Sequence, residues 1–237
     1  MNATKIEWTD STWNPVTGCN KISDGCINCY AETMALRLQG MGQDKYKNGF
    51  RVSLHEDVLN EPLKWKKPHI IFICSMSDLF HKDVPFDFID KVLLVIEQTP
   101  KHNYQLLTKR AERMVEYFSS REIPTNLWLE NQKTKKRIEY LSDLDCGVRF
   151  LSCEPLIEDL QDLNLENVEW VIVGGESGLS ARPMKEEWVL NIKEQCDSQG
   201  VPFFFKQWGT YGNDGIKRNK KVNGHFINGH KYQAMPV

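Results

Sequence analysis

Cys19, Cys26 and Cys29 fall within eleven residues of one another in the segment TGCNKISDGCINCYAE, with six residues between the first two and two between the last two. A Cys-x-x-Cys pair turns two thiolates onto one metal centre, and Gly18 and Gly25 let the backbone bend just ahead of the ligands. Three thiolates leave one iron of a [4Fe–4S] cluster without a protein ligand and open to a substrate or cofactor. A structural zinc would instead need a fourth donor, for which His55, His69 and His81 are candidates. Purely structural thiols are the third reading. Residues 28–39 read as a helix, which puts Cys29 at a helix start, where the dipole favours a thiolate and a cluster's negative charge. The remaining cysteines, Cys74, Cys146, Cys153 and Cys196, read as small hydrophobes.

A second set of polar residues follows short apolar runs. Ser75, Ser77 and Asp78 come after one run, Lys109 and Arg110 after the next, and Glu130 and Asn131 after a third. Ser152 and Glu154 close a fourth, Gly174, Gly175 and Glu176 a fifth, and Lys206, Gln207 and Trp208 a sixth. Ser75, Ser77, Asp78, Ser152, Glu154, Gly174, Gly175 and Glu176 are candidate cofactor contacts, since glycines at a strand end admit a ligand's close approach and a carboxylate suits a ribose or an ammonium group. Lys109, Glu130, Asn131, Lys206, Gln207 and Trp208 are candidate substrate contacts through charge, hydrogen bonding and stacking. The alternatives are a tight turn for the glycines, a loop ion pair of Glu154 with Arg149 or Arg182, and a sealing role for Trp208.

The elements that must position these residues are six apolar runs, at 69–74, 103–108, 126–129, 148–153, 168–174 and 202–208. Each is short and rich in β-branched or aromatic residues, as suits parallel strands buried on both faces. Amphipathic stretches at 87–98, 111–118 and 186–200 lie between them, the last ending in Gly200. Alternating strands and helices predict an α/β fold, a partial (β/α) TIM-like barrel of about six parallel strands, with function at the carboxyl edge. The expected organisation is a single domain over 1–237, with a cluster-binding segment at 1–30, a βα core at 31–208 and a tail at 209–237.

The 237 residues, 41% of them hydrophobic, suffice for one sizeable core. A net charge of −2 argues against sequence-independent phosphate binding by the chain as a whole, while leaving room for a local basic patch. No apolar run is long enough to span a bilayer, and the first residues lack the order of a secretory signal, so a cytoplasmic protein without membrane contact is expected. Seven cysteines, an odd number, in a reducing compartment point to metal or catalysis before disulfides. In the tail, Lys217, Arg218, Lys220 and Lys221 interleave with His225, Phe226 and Tyr232, which reads either as a solvated face or as a nucleic-acid contact.

Taken together, WNPVTGCNKISDGCINCYAE, CSMSDLFH, LLTKR, FLSCEPL, VIVGGESG, ARPM and PFFFKQWG resemble a phage- and prokaryote-encoded, uncharacterised family of radical S-adenosylmethionine (SAM)-like proteins with a three-cysteine motif. The resemblance covers nearly the whole chain. It implies a partial barrel of the radical SAM type, a [4Fe–4S] cluster on Cys19, Cys26 and Cys29, and S-adenosyl-L-methionine on the open iron. Cleavage of that cofactor to a 5′-deoxyadenosyl radical would draw on an electron donor as partner; the expected substrate is a nucleotide or nucleic acid, motivated by the strand-end polar residues and the basic tail, and a partner protein is a further candidate. The chain departs from the superfamily's pattern in placing six residues, not three, between the first two cysteines, and in having Asn28 before Cys29 with the aromatic Tyr30 after it. It also runs directly from the strand at 126–129 into Glu130, where the family has a longer strand. Two alternative readings stay open: a zinc-stabilised nucleic-acid-binding module, and an iron–sulfur protein that does not cleave SAM.

Overall fold

The computed structural model describes residues 4, 6–131 and 144–236. All six predicted strands are present, as β4 (Ile70–Ile73), β5 (Asn103–Thr108), β6 (Leu127–Asn131), β7 (Val148–Cys153), β8 (Trp170–Gly174) and β9 (Phe203–Gln207). A seventh, β1 (Ser11–Trp13), pairs parallel to β4 with Ser11 opposite Ile71 and Trp13 opposite Ile73. The expectation of about six strands thus becomes seven. The sequence Ser-Thr-Trp escapes a hydrophobicity reading because only one of its three side chains is apolar. Trp13 nevertheless is fully buried and donates from Nε1 to Val58 O at 2.9 Å.

The parallel strands follow the order β1-β4-β5-β6-β7-β8-β9, each new strand added beside the preceding one. A doubly wound sheet reverses its order part-way; one-directional winding is that of a (β/α) barrel. The fold class is therefore α/β, a partial TIM-like barrel. The chain divides into two compact units, one made of Met1–Ile22, Cys29–Glu130 and Leu144–Gly147, the other of Ser23–Asn28, Asn131–Asp143 and Val148–Val237.

In the first unit, β2 (Val16–Thr17) and β3 (Ser53–Leu54) form a small antiparallel pair that leads the chain into Gly18 and Cys19. Helix α1 (Tyr30–Gly40) begins immediately after Cys29, which is its N-cap residue. Its Ala31 and Ala35 pack with Tyr46 and Met76, and Cys29 lies against that cluster. Helices α2 (Phe86–Glu97) and α3 (Ala111–Phe118) follow β4 and β5; α2 buries Phe88, Ile89, Val92, Leu93, Val95 and Ile96 on the face its periodicity predicts.

In the second unit, Trp170 of β8 is fully buried between Phe150 and Phe204, with ring centroids 5.5 and 5.8 Å away. Truncating such a side chain costs about 3–5 kcal/mol. Helix α4 (Glu186–Gln199) stops at Gly200, whose φ of 69° suits glycine, and the N–H of Val201 returns to Cys196 O at 2.9 Å. The tail carries α5 (Lys220–Asn223) and the hairpin β10 (Phe226–Ile227) and β11 (His230–Lys231). It then covers the outer edge of β9, where Phe205 N donates to Tyr232 O at 2.7 Å and Ala234 N to Phe203 O at 3.2 Å, so that edge does not offer its amides to another chain. Among the described residues, no helix is long and apolar enough to cross a membrane.

Candidate functional site

Cys19 is delivered by a turn that admits only glycine before it. Gly18 has a φ of 84°, and a Cβ there would stand 2.2 Å from Arg51 O. The turn is fixed by Gly18 N donating to Met76 O at 3.0 Å and Cys19 N to Phe50 O at 3.1 Å. The Cys19 sulfur then meets Arg110, whose Nη1 lies 3.5 Å away. The same nitrogen donates to Asp78 Oδ2 at 2.8 Å, while Nη2 donates to Asn20 Oδ1 at 2.6 Å and to Asn20 O at 3.3 Å.

Asp78 is what holds the guanidinium there. It is buried, and its two oxygens also accept from Phe80 N, Thr108 Oγ1 and Lys109 N at 3.0, 2.8 and 3.1 Å. Three donors besides the Arg110 guanidinium satisfy the oxygens of this buried side chain. Burial pushes the Cys19 thiol above its usual range, against the downward pull of Arg110. His81 joins the array: its Nδ1 accepts from Asp83 N at 3.1 Å, which leaves the proton on Nε2 to donate to Asn20 Oδ1 at 2.7 Å. Burial and Arg110 lower its pKa, favouring the neutral ring. Both its nitrogens are thus engaged, which counts against His81 among the three histidines considered as a fourth zinc ligand.

Ser75 and Ser77 serve the same turn region. Asn14 Oδ1, at the end of β1, accepts from Ser75 Oγ and Met76 N, both at 3.1 Å; Ser77 Oγ donates to Val16 O at 2.8 Å. The Tyr30 hydroxyl donates to Ser75 O. Glu130 is fully buried at the end of β6, and Asn131 closes that strand, with its side chain outside the described residues.

In the second unit, Cys26 sits in a 3-10 turn (Asp24–Cys26), its sulfur 3.4 Å from Ser23 Oγ. The loop is held by Glu176 and Arg182. Glu176, nearly inaccessible, accepts from Arg182 N, Nε and Nη2 at 2.8, 3.0 and 2.7 Å and from Asn28 Nδ2 at 3.1 Å. Arg182 Nη2 also donates to Asp24 O at 2.9 Å, and Asn28 Nδ2 to Ser180 O at 2.8 Å. Burial would raise the Glu176 pKa, but these donors outweigh it and hold the carboxyl below its ordinary value.

The ends of β7, β8 and β9 meet in that unit as well. Lys206 Nζ lies 3.1 Å from Glu154 Oε2, both side chains being mostly buried. Glu154 therefore pairs with Lys206, whereas Arg149 pairs with Glu169 and Arg182 with Glu176. A Cβ on Gly175 would come within 1.9 Å of the backbone carbonyl of Trp208, so that glycine is required by close approach, whereas one on Gly174 would come within 2.3 Å of Glu154 Oε1 and displace that carboxylate. Gln207 Nε2 donates to Gly175 O at 3.1 Å and Ser177 Oγ at 3.3 Å, and Ser152 is fully buried. Trp208 is buried against Phe205 and donates from Nε1 to Phe226 O at 2.9 Å, anchoring the tail.

Arg110 as a partner of Cys19, and Asn20, Asn28 and Arg182 as holders of the cysteine segment, were beyond sequence reasoning. The motifs LLTKR and ARPM contain the two arginines but say nothing of contacts 91 and 158 residues away along the chain.

None of the seven cysteines forms a disulfide. Cys74 and Cys196 are buried thiols pushed up to about 12 by burial, inert as the sequence reading expects. Cys19, Cys26 and Cys29 are all partly accessible. As a donor set they fit an iron–sulfur cluster in kind and number: three soft, unbridged sulfurs, one beside a fixed cation. Among the described residues no three His, Cys, Asp or Glu side chains are already gathered to hold a single metal ion.

Residues 3–236 match the model of the family described as Protein of unknown function (DUF5131). The chain belongs to that family. Among solved structures it is similar to one titled "Spore photoproduct lyase complexed with dinucleoside spore photoproduct", at 10% identity and a TM-score of 0.46, over 76% of this chain and 58% of that one. It thus spans less than two thirds of that structure's length. No curated protein matches it.

Proposed function

We propose that this chain is an iron–sulfur enzyme of the radical SAM type, in which Cys19, Cys26 and Cys29 ligate a [4Fe–4S] cluster and a nucleotide or nucleic acid is the substrate. The observation that carries the reading is Arg110, fixed by buried Asp78 and donating toward the sulfur of Cys19. A cation built at such expense of buried polar groups beside a thiol suits a thiolate that carries the negative charge of a cluster.

A cluster of this kind, when bound, supplies one electron, drawn from an external donor, to the sulfonium of S-adenosyl-L-methionine. The chain's own residues do the rest. Arg110 and the N–H···S contact hold Cys19; Arg182 and Glu176 shape the loop that carries Cys26. Glu154, which stands over Gly174 and pairs with Lys206, is the proposed contact for the ammonium group of the cofactor, and Lys206 remains a proposed substrate contact.

Anaerobic reconstitution with iron and sulfide tests this directly. Broad visible absorbance and about four irons per chain, lost in Cys26→Ala, are expected, together with a spectral change on adding SAM and 5′-deoxyadenosine on reduction. One tightly held zinc in place of iron would return the chain to the zinc-stabilised reading. A cluster that leaves SAM intact would make it an iron–sulfur protein without SAM cleavage.

A further inference from the structure

The chain as a whole is acidic by two charges, yet from Gly215 to Val237 it contains Lys217, Arg218, Lys220, Lys221 and Lys231 and no Asp or Glu. Two of these cations are engaged: Arg218 with Asp214 at 2.6 Å and Lys217 Nζ with Leu179 O at 2.8 Å. Lys220, Lys221 and Lys231 are exposed and form no ion pair or side-chain hydrogen bond among the described residues.

Between them in the sequence stands an aromatic pair, one ring exposed and the other half-buried. Phe226 is 53% accessible, and His225 stacks on it with centroids 4.8 Å apart and planes inclined by 22°. Across the hairpin Phe226 is in register with Lys231, so this ring and this cation lie on one face. An exposed phenylalanine is common, but one stacked on a second ring and opposite an unpaired lysine is a surface of particular chemistry.

That surface is also held in place. Trp208 donates through its backbone N–H to Gly224 O at 3.1 Å and through Nε1 to Phe226 O. Asn219 Oδ1 accepts from Lys221 N at 3.0 Å, and Asn223 Nδ2 donates to Gly209 O and Thr210 O, both at 3.0 Å. The platform is therefore fixed directly to the end of β9, next to Lys206 and Gln207 of the candidate site.

We propose that residues 219–231 form a docking platform for single-stranded nucleic acid, with His225 and Phe226 stacking on an unpaired base and Lys220, Lys221 and Lys231 meeting phosphates. Stacking on a π face needs a base free of its duplex, and lysines track a backbone without reading sequence, so the ligand is a single strand in preference to a duplex. The inference names the substrate class of the function proposed above and rests on it for the chemistry performed, though not for the binding itself.

Fluorescence anisotropy with short labelled oligothymidylate and oligouridylate, using the full chain, tests it. Binding is expected to weaken with salt at a logarithmic slope of about −2, from three phosphate contacts at roughly 0.7 each. Phe226→Ala should weaken it about tenfold, and the triple change Lys220→Gln, Lys221→Gln, Lys231→Gln should flatten the slope. Lys66→Gln with Lys67→Gln, a comparable charge change in the other unit, should leave binding intact. The tighter of the two oligomers identifies DNA or RNA as the source. Absence of binding at low salt, equal binding by the Phe226 and lysine variants, preference for the duplex, or binding to anionic phospholipid vesicles alone would each overturn the proposal. Iron content measured on the same variants separates the two readings: a chain that binds oligonucleotide but takes up no iron sinks the cluster, and one that loads iron but binds no oligonucleotide sinks the platform.

Discussion

Arg110 Nη1 lies 2.8 Å from the carboxylate of Asp78 and 3.5 Å from the sulfur of Cys19, so one nitrogen links a buried anion to a candidate metal ligand. The aspartate sets where the cation stands, and the cation sets the electrostatic environment of the sulfur.

Replacing Arg110 by Gln keeps a polar side chain but removes the positive charge. In reconstituted protein the cluster's reduction potential should fall on the order of 50 mV, because a charge-assisted bond of about 1.5–3 kcal/mol strengthens only in part when one electron is added. A redox titration followed by electron paramagnetic resonance reads this, with iron content as the control. An unchanged potential in a fully loaded variant would remove Arg110 from the site.

Asp78→Ala strands a guanidinium whose side chain is 12% accessible, together with three other donors. Breaking a buried pair from one side costs about 3–5 kcal/mol. Urea denaturation should show a loss near the lower figure, since Arg110 keeps its bonds to Asn20.

Glu176 gives a pH signature. Its pKa in the folded chain lies below the ordinary value of 4.5, so the unfolded chain binds a proton first as acid is added. The stability it contributes is fully present above pH 4.5 and is lost as pH falls through the lower, folded value. Glu176→Gln should therefore be less stable than the parent at pH 7, by about 1–3 kcal/mol, and the difference should narrow below pH 4.5. Thermal melts of both chains across pH 3–7 measure it; a constant gap at every pH would contradict the assignment.

Gly18→Ala places a methyl on Arg51 O in a backbone region that disfavours it, and the chain must move at Cys19. The expected outcome is a folded protein, seen by circular dichroism, with iron uptake reduced several-fold. Gly42→Ala is the control: it too has a positive φ, of 72°, but its added Cβ meets nothing.

The six apolar strands were legible because parallel strands buried on both faces leave continuous hydrophobic runs, as in VEWVIVG and VRFLSC. β1 left no such trace, being identified only by its pairing with β4. The cysteine segment announced itself through residue type and spacing. Its supports did not, because Asp78, Arg110, Glu176 and Arg182 are ordinary charged residues whose meaning comes from long-range pairing. Asp78 and Glu176 were picked out for standing at strand ends, and the structure places each against an arginine of its own unit. Trp208 was read as a stacking or sealing residue, and its burial beneath the tail hairpin shows what it packs against.

Arg110 holds the chain at Cys19 and Asn20, and Arg182 holds it at Asp24, each through hydrogen bonds made by the polypeptide alone. In small metal-dependent domains the metal organises the backbone, and stripping it unfolds the site. Here the backbone around the cysteines has its own fastenings. For the proposed cluster, loading would then be a late event in the life of the molecule, and a chain stripped of iron by oxygen would be repaired by refilling, with no need to fold again.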